Sequence, residues 1–142
     1  MEMKLIHPNS REYEQMILLR ITQLLEPIGV PASYIEKEKE KHDFLIGAFE
    51  NNDIIGCCVL TPRDNGIIQL RQMTVRKDLR GKRIGAAIIE FAEEVAKENN
   101  FSVLMMHARD PVIDFYKKCG YEIEGKQFFE VGIGHHKMQK QL

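Results

Sequence analysis

The sequence predicts an α/β chain of the α+β kind, with a mixed, mostly antiparallel central sheet flanked by helices. Three observations predict it. Two turn signals, Glu50-Asn51-Asn52-Asp53 and Asp64-Asn65-Gly66, follow one another between apolar runs, which reads as consecutive hairpins. The clearest amphipathic helix pattern, residues 83–98, comes next, followed by another apolar run, Ser102–His107. Strand, helix and strand in that order make a right-handed crossover between parallel neighbours, here over residues 67–107.

The 142 residues fit one domain, 1–142, and the 44% apolar content is ordinary for a packed core. There are no internal repeats or low-complexity linkers. Lys plus Arg number 20 and Asp plus Glu 21. That balance gives no overall field for holding nucleic acid or an anionic membrane, so a phosphate site needs a local basic cluster. The N-terminus has no long apolar stretch, and no run approaches a bilayer span. Cys57, Cys58 and Cys119 make a poor disulfide framework and have no C-x-x-C spacing. They read as buried or half-buried thiols in a reducing cytoplasm.

In chain order, residues 3–7 suit a short strand. Asn9 with Glu12 resembles a capping box, and Tyr13, Ile17, Ile21 and Leu24 fall at helical spacing, which predicts a helix over about 10–25. Pro27, Gly29 and Pro31 break it. The alternating charges of residues 36–42 suit a solvated helix face or loop, or else a flap over an acceptor site. Phe44–Phe49, Ile54–Leu60 and Ile67–Val75 are successive strands. In the third, Ile68 and Leu70 share one face while Met73 and Val75 take the other. The slip predicts a β-bulge between Leu70 and Met73, and an ordinary strand apolar on both faces fits equally well.

In the 83–98 helix, Ile84, Ile88, Phe91 and Val95 form the apolar face, with Glu90, Glu93, Glu94 and Lys97 polar. After the Ser102–His107 strand, Asp110 suits an N-cap and Pro111 the first helical position. Val112, Phe115, Tyr116 and Cys119 continue that helix to Gly120. Tyr121–Glu124 reads as a short strand and Phe128–Met138 as a final strand region containing Gly132 and Gly134.

The chemistry concentrates where the Ile67–Val75 strand enters the helix. Five of the eight residues from 76 to 83 are basic, Gly81 and Gly85 leave backbone accessible, and a helix N-terminus follows. Free N–H groups and the positive end of the helix dipole bind anions, so the turn suits a diphosphate; a solvated basic turn is the alternative. It lacks both G-x-x-x-x-G-K-[ST] and G-x-G-x-x-G, which excludes a P-loop and a dinucleotide fingerprint.

The stretch Met73–Ala86 resembles the acetyl-CoA signature of the GNAT superfamily of N-acetyltransferases: Gln or Arg, two residues, Gly, one residue, then Gly or Ala. Arg80 and Gly85 match it, and Arg83 stands where the first glycine is usual. Asp114-Phe-Tyr-Lys-Lys-Cys-Gly-Tyr121 is similar to the superfamily's second block, about 30 residues on. The ending Phe129–Met138, with Glu26 and Gly29-Val30-Pro31, resembles a small single-domain bacterial branch.

The resemblance implies acetyl-CoA as co-substrate, with a pantetheine arm lying in a gap opened by the bulge. It implies Met73, Thr74 and Val75 as backbone partners of that arm. Arg80, Gly81, Lys82, Arg83, Gly85 and Ala86 would surround the diphosphate, and Tyr116 would protonate the departing thiolate.

The direct attack it implies also needs a base. The strand Ile67–Val75 has no carboxylate, and Gln69 and Gln72 can only hold a water. His107 ends the next strand and titrates in the right range, although a structural histidine reads the same way. His135 and His136 are further candidates that face opposite ways on a strand. The spacing of the histidines offers no metal site.

The implied partner is a small-molecule or peptide amine, with neither nucleic acid nor membrane; a homodimer is left open. The missing strand carboxylate also suits a second reading, a non-catalytic acetyl-CoA-binding sensor or partner module. A nucleic-acid module would want stacking aromatics, which the basic turn lacks.

Overall fold

Two asparagines set the first turn of the sheet: Asn51 and Asn52 both adopt positive φ, the geometry a two-residue hairpin needs. They join β2 (Phe44–Glu50) to β3 (Asp53–Pro62). Asn65 and Gly66, also at positive φ, turn β3 into β4 (Ile67–Val75). With β1 (Glu2–Ile6), β5 (Val103–Arg109), β6 (Glu122–Glu130) and β7 (Ile133–Gln141), these strands form one sheet in the order β1-β2-β3-β4-β5-β7-β6. Only β4 and β5 pair in parallel, across the helix α2 (Ile84–Glu98). Thus the mixed, mostly antiparallel sheet and the crossover over 67–107 are as the sequence predicts. The computed structural model describes residues 1–142.

One face of the sheet packs on α2 and α3 (Ile113–Lys118) through Ile68, Leu70, Ile88, Leu104, Met106 and Tyr121. On the other, α1 (Arg11–Arg20) seats Tyr13, Met16 and Ile17 against Leu45, Cys57 and Val59. No helix is long and apolar enough to cross a membrane.

Several local expectations are corrected. The α1 cap is Ser10, not Asn9: its Oγ accepts from Tyr13 N–H at 3.1 Å. The helix is α-helical only to Arg20 and widens to a π turn over Ile21–Leu25. Asp110 caps nothing; Asp110–Val112 is a 3₁₀ turn, and its carboxylate bonds His136 and Gln127 instead. Phe128–Met138 is not one strand, because Val131 and Gly132, both at positive φ, turn β6 into β7 there. Glu93 is no solvated residue of α2: it is buried, taking a hydrogen bond from Tyr121 Oη at 2.8 Å and pairing with Lys140.

The alternating charges of 36–42 form a 3₁₀ turn from Lys37 to Glu40, and Glu40 faces inward at 3% exposure. It pairs with Arg20, itself fully buried. A buried charge persists only when paired and hydrogen-bonded, and these two satisfy each other.

Candidate functional site

The site begins with the bulge. Cys57 pairs with Thr74 and Val59 with Arg71, so the single residue Cys58 stands opposite both Gln72 and Met73. The extra residue takes Gln72 to φ +52°, an uncommon conformation for a side-chain-bearing residue. Arg20 Nε donates to Gln72 Oε1 at 3.3 Å, and Cys57 Sγ lies 3.8 Å from the Gln72 carbonyl. Parallel pairing with β5 stops at Leu70 and Met106. Beyond it the β5-facing edge of Met73–Val75 pairs with no strand, and the two strands border a cleft of about 1130 Å³. The register slip in the sequence is therefore a true bulge, and it opens the sheet.

The basic turn closes one end of this cleft. Lys77–Leu79 makes a single 3₁₀ turn, pinned by the Arg76–Asp78 ion pair at 2.8 Å and by Lys77 N–H on Gln23 Oε1 at 2.9 Å. Arg80 Nε donates to the Val75 carbonyl at 3.1 Å, which folds its guanidinium back beside the free edge. Arg83 starts α2 at φ +64°, ψ +16°, the left-handed geometry glycine takes without strain. No side chain caps the helix there, and its first turn has no acidic residue. Its first N–H groups thus remain donors without an internal acceptor.

Gly85 has a role beyond backbone access. A Cβ there would meet Phe115 at 3.1 Å and Met73 at 3.3 Å, so α2 approaches those side chains through this glycine. Thr74, Val75, Gly81, Arg83 and Ala86 also line the cleft; Lys82 does not.

Tyr116 comes from α3 and is 7% exposed. Its hydroxyl has one partner, the Met73 sulfur at 3.8 Å, so no oxygen or nitrogen of the chain competes for its proton. Burial, reinforced by Cys58, pushes the phenol above its ordinary value of 10. The hydroxyl therefore keeps its proton at neutral pH.

His107 lines the same cleft from β5. Its Nδ1 lies 2.8 Å from Glu130 Oε2, a carboxylate brought from β6 across β7. Phe128 packs edge-on to His107, with ring centroids 5.0 Å apart, and stacks on His135. His135 also lines the cleft, 3.9 Å from Glu130, whereas His136 turns to the opposite face and bonds Asp110 at 2.7 Å. This answers the missing carboxylate of β4: an acid reaches the cleft from another strand. The arrangement can accept a proton at His107 and donate one at Tyr116.

Sequence reasoning missed two residues here. Glu130 has no local signal, because its contact with His107 exists only once three strands are aligned. Arg109 had one: it lies two residues after His107 on the same strand and so shares its face. It is half-buried in the cleft.

The profile of the acetyltransferase (GNAT) family matches residues 13–121. The uncharacterized N-acetyltransferase YjcF of Bacillus subtilis is 26% identical over 136 residues, covering 95% of this chain and 96% of that protein. Two other curated relatives share only part of their length, the match spanning 41% and 50% of them. Among solved structures, one from Lactobacillus plantarum has a TM-score of 0.89 at 23% identity, covering 100% of this chain and 99% of that one. An aminoglycoside 6′-N-acetyltransferase complexed with coenzyme A has a TM-score of 0.83 at 16% identity, covering 99% and 97%. At such identities these structures speak for the fold.

Proposed function

The chain belongs to the GNAT acetyltransferase family, and from that membership we propose that it moves the acetyl group of acetyl-CoA to the amine of a small molecule or peptide. One observation carries the reading. A single cleft runs from the basic turn and the uncapped start of α2, along the open edge of β4, to Tyr116 and His107. Its donor set fits the co-substrate. N–H groups and guanidiniums suit a diphosphate, and a free strand edge suits the amides of a pantetheine arm.

Acetyl-CoA supplies a thioester carbonyl and a thiolate leaving group. The residues of the chain supply the rest. Glu130, accepting from Nδ1–H, fixes the tautomer that leaves Nε2 of His107 basic, and Nε2 takes the proton of the incoming ammonium. Tyr116 gives its proton to the departing sulfur. Arg80, Gly81, Arg83, Gly85 and Ala86 hold the diphosphate through charge and backbone N–H groups. The excess of His107 and Glu130 over a bare binding cleft supports an enzyme rather than a sensor.

The test is acetyl-CoA binding followed by thiol release with a panel of amines. A ligand that binds only the folded state raises the melting temperature by mass action. Millimolar acetyl-CoA is expected to raise it, and one or more amines to release free thiol. No thermal shift removes the reading; a shift without thiol release from any amine favours the sensor.

A further inference from the structure

The Arg109 guanidinium is half-buried at the end of β5, yet no group of the chain hydrogen-bonds or ion-pairs with it. Of the other arginines that line the cleft, Arg63 has Gln69, Arg71 has Thr61 and Arg80 has the Val75 carbonyl, while Arg83, which has no partner, is exposed to solvent. The carboxylate next to it in the chain and the one that lines the same cleft are committed elsewhere: Asp110 to His136 and Gln127, Glu130 to His107. A partly desolvated charge without a partner is unfavourable unless a ligand completes it. Burial lowers the Arg109 pKa; Tyr116 opposes the shift and Arg80 adds to it.

Arg80 occupies the other lip. Its Nε is tied to the Val75 carbonyl on β4, and it lines the same cleft as Arg109. Two like charges flank one gap where β4 and β5 no longer pair, next to the uncapped start of α2. An anion between them removes the repulsion and the desolvation penalty together.

We propose that Arg109 is a diphosphate-binding residue, which with Arg80 grips the co-substrate from both sides of the split. This rests on the acetyl-CoA reading above. A diphosphate meets the requirement better than an acceptor carboxylate, because it carries charge for both guanidiniums.

Equilibrium binding to the whole chain tests it, with coenzyme A, dephospho-coenzyme A and pantetheine as probes. Arg109→Gln is expected to weaken coenzyme A and dephospho-coenzyme A alike, by about tenfold or more, the usual worth of a hydrogen bond to a charged group. Pantetheine, which has no diphosphate, is expected to bind the variant and the parent equally. Arg109→Lys keeps the charge without the fork and is expected to recover part of the loss.

Unchanged dephospho-coenzyme A affinity overturns the proposal, and so does a loss confined to coenzyme A, which would move Arg109 to the 3′-phosphate. An equal loss with pantetheine would move it to the arm. Acetylation by Arg109→Gln that falls only for amines bearing a carboxylate would assign the anion to the acceptor. If the parent chain binds none of the three probes, the acetyl-CoA reading itself has failed.

Discussion

Arg20 and Glu40 form a bidentate pair in the interior, Nη1 to Oε1 at 2.9 Å and Nη2 to Oε2 at 2.6 Å. Tyr13 Oη donates to the same carboxylate at 2.7 Å, and Arg20 Nε extends to Gln72 at the bulge. Removing one partner of such a pair leaves the other charge buried alone. Glu40→Ala is expected to lower unfolding free energy by about 3–5 kcal/mol, while the double change Arg20→Met with Glu40→Leu restores most of it. Urea denaturation of the three chains checks this. A near-silent Glu40→Ala would mean that the pair opens to water in solution.

The same pair sets an acid limit on stability. Burial alone would raise the Glu40 carboxyl, but the hydrogen bonds and charge of Arg20 outweigh it, and the net direction is below the ordinary 4.5. The unfolded chain then binds the proton first. The contribution of Glu40 is full above pH 4.5 and is lost as pH falls through the lower folded value. Melting temperature below pH 4.5 is expected to fall more steeply in the parent than in the double variant; parallel acid limbs would refute this.

Tyr116→Phe keeps the ring against Phe115 and Tyr121 and deletes only the hydroxyl, whose sole partner is the Met73 sulfur. Turnover is expected to drop by roughly 10²–10⁴-fold at nearly unchanged acetyl-CoA affinity. If affinity falls as far as rate, the residue holds the co-substrate instead.

Glu130→Gln removes the negative charge beside His107 Nδ1–H but keeps the size of the side chain. Loss of the orienting carboxylate is expected to lower kcat/KM by about tenfold to a hundredfold. His107→Gln is expected to lower it further, by roughly 10²–10⁴-fold, the worth of a positioned general base. Unchanged kcat/KM in both variants would assign proton uptake to solvent.

Gly85→Leu is expected to cost affinity for acetyl-CoA and stability together. The new side chain must displace Phe115 and Met73, which lie 3.1 and 3.3 Å from where its Cβ would be. Gly85→Ala asks these two flexible neighbours to give only a few tenths of an ångström, so it is expected to stay folded. Normal affinity in Gly85→Leu would place the diphosphate away from this turn.

Local periodicity carried much of the fold. The hairpins were legible because Asn51-Asn52 and Asn65-Gly66 are turn chemistry, and the bulge because it shifts apolar residues from one face to the other. What failed was long-range. Among alternating glutamates and lysines, nothing marks Glu40 as the one that turns inward; its partner lies 20 residues away and the bulge it helps hold 32 away. The strands β6 and β7 were blurred because Val131 carries no turn signal, although Gly132 beside it does. Arg80, Gly81, Arg83 and Gly85 were readable as a cluster, whereas Glu130 needed the sheet order to meet His107.

The early end of β4–β5 pairing leaves the sheet as two leaves, β1 to β4 and β5 with β7 and β6, bound by a ladder of only four residue pairs. An extended ligand chain in the gap would behave as a splint, supplying acceptors to amides that otherwise face the cleft. Its protection would be written on the inner margins of the leaves, in the slowed deuterium uptake of residues 72–75 and 107–109, while α1 and the outer strands exchange as before. Substrate occupancy would thus act on this protein as the missing rung of its own sheet, stiffening the seam between the leaves rather than either leaf.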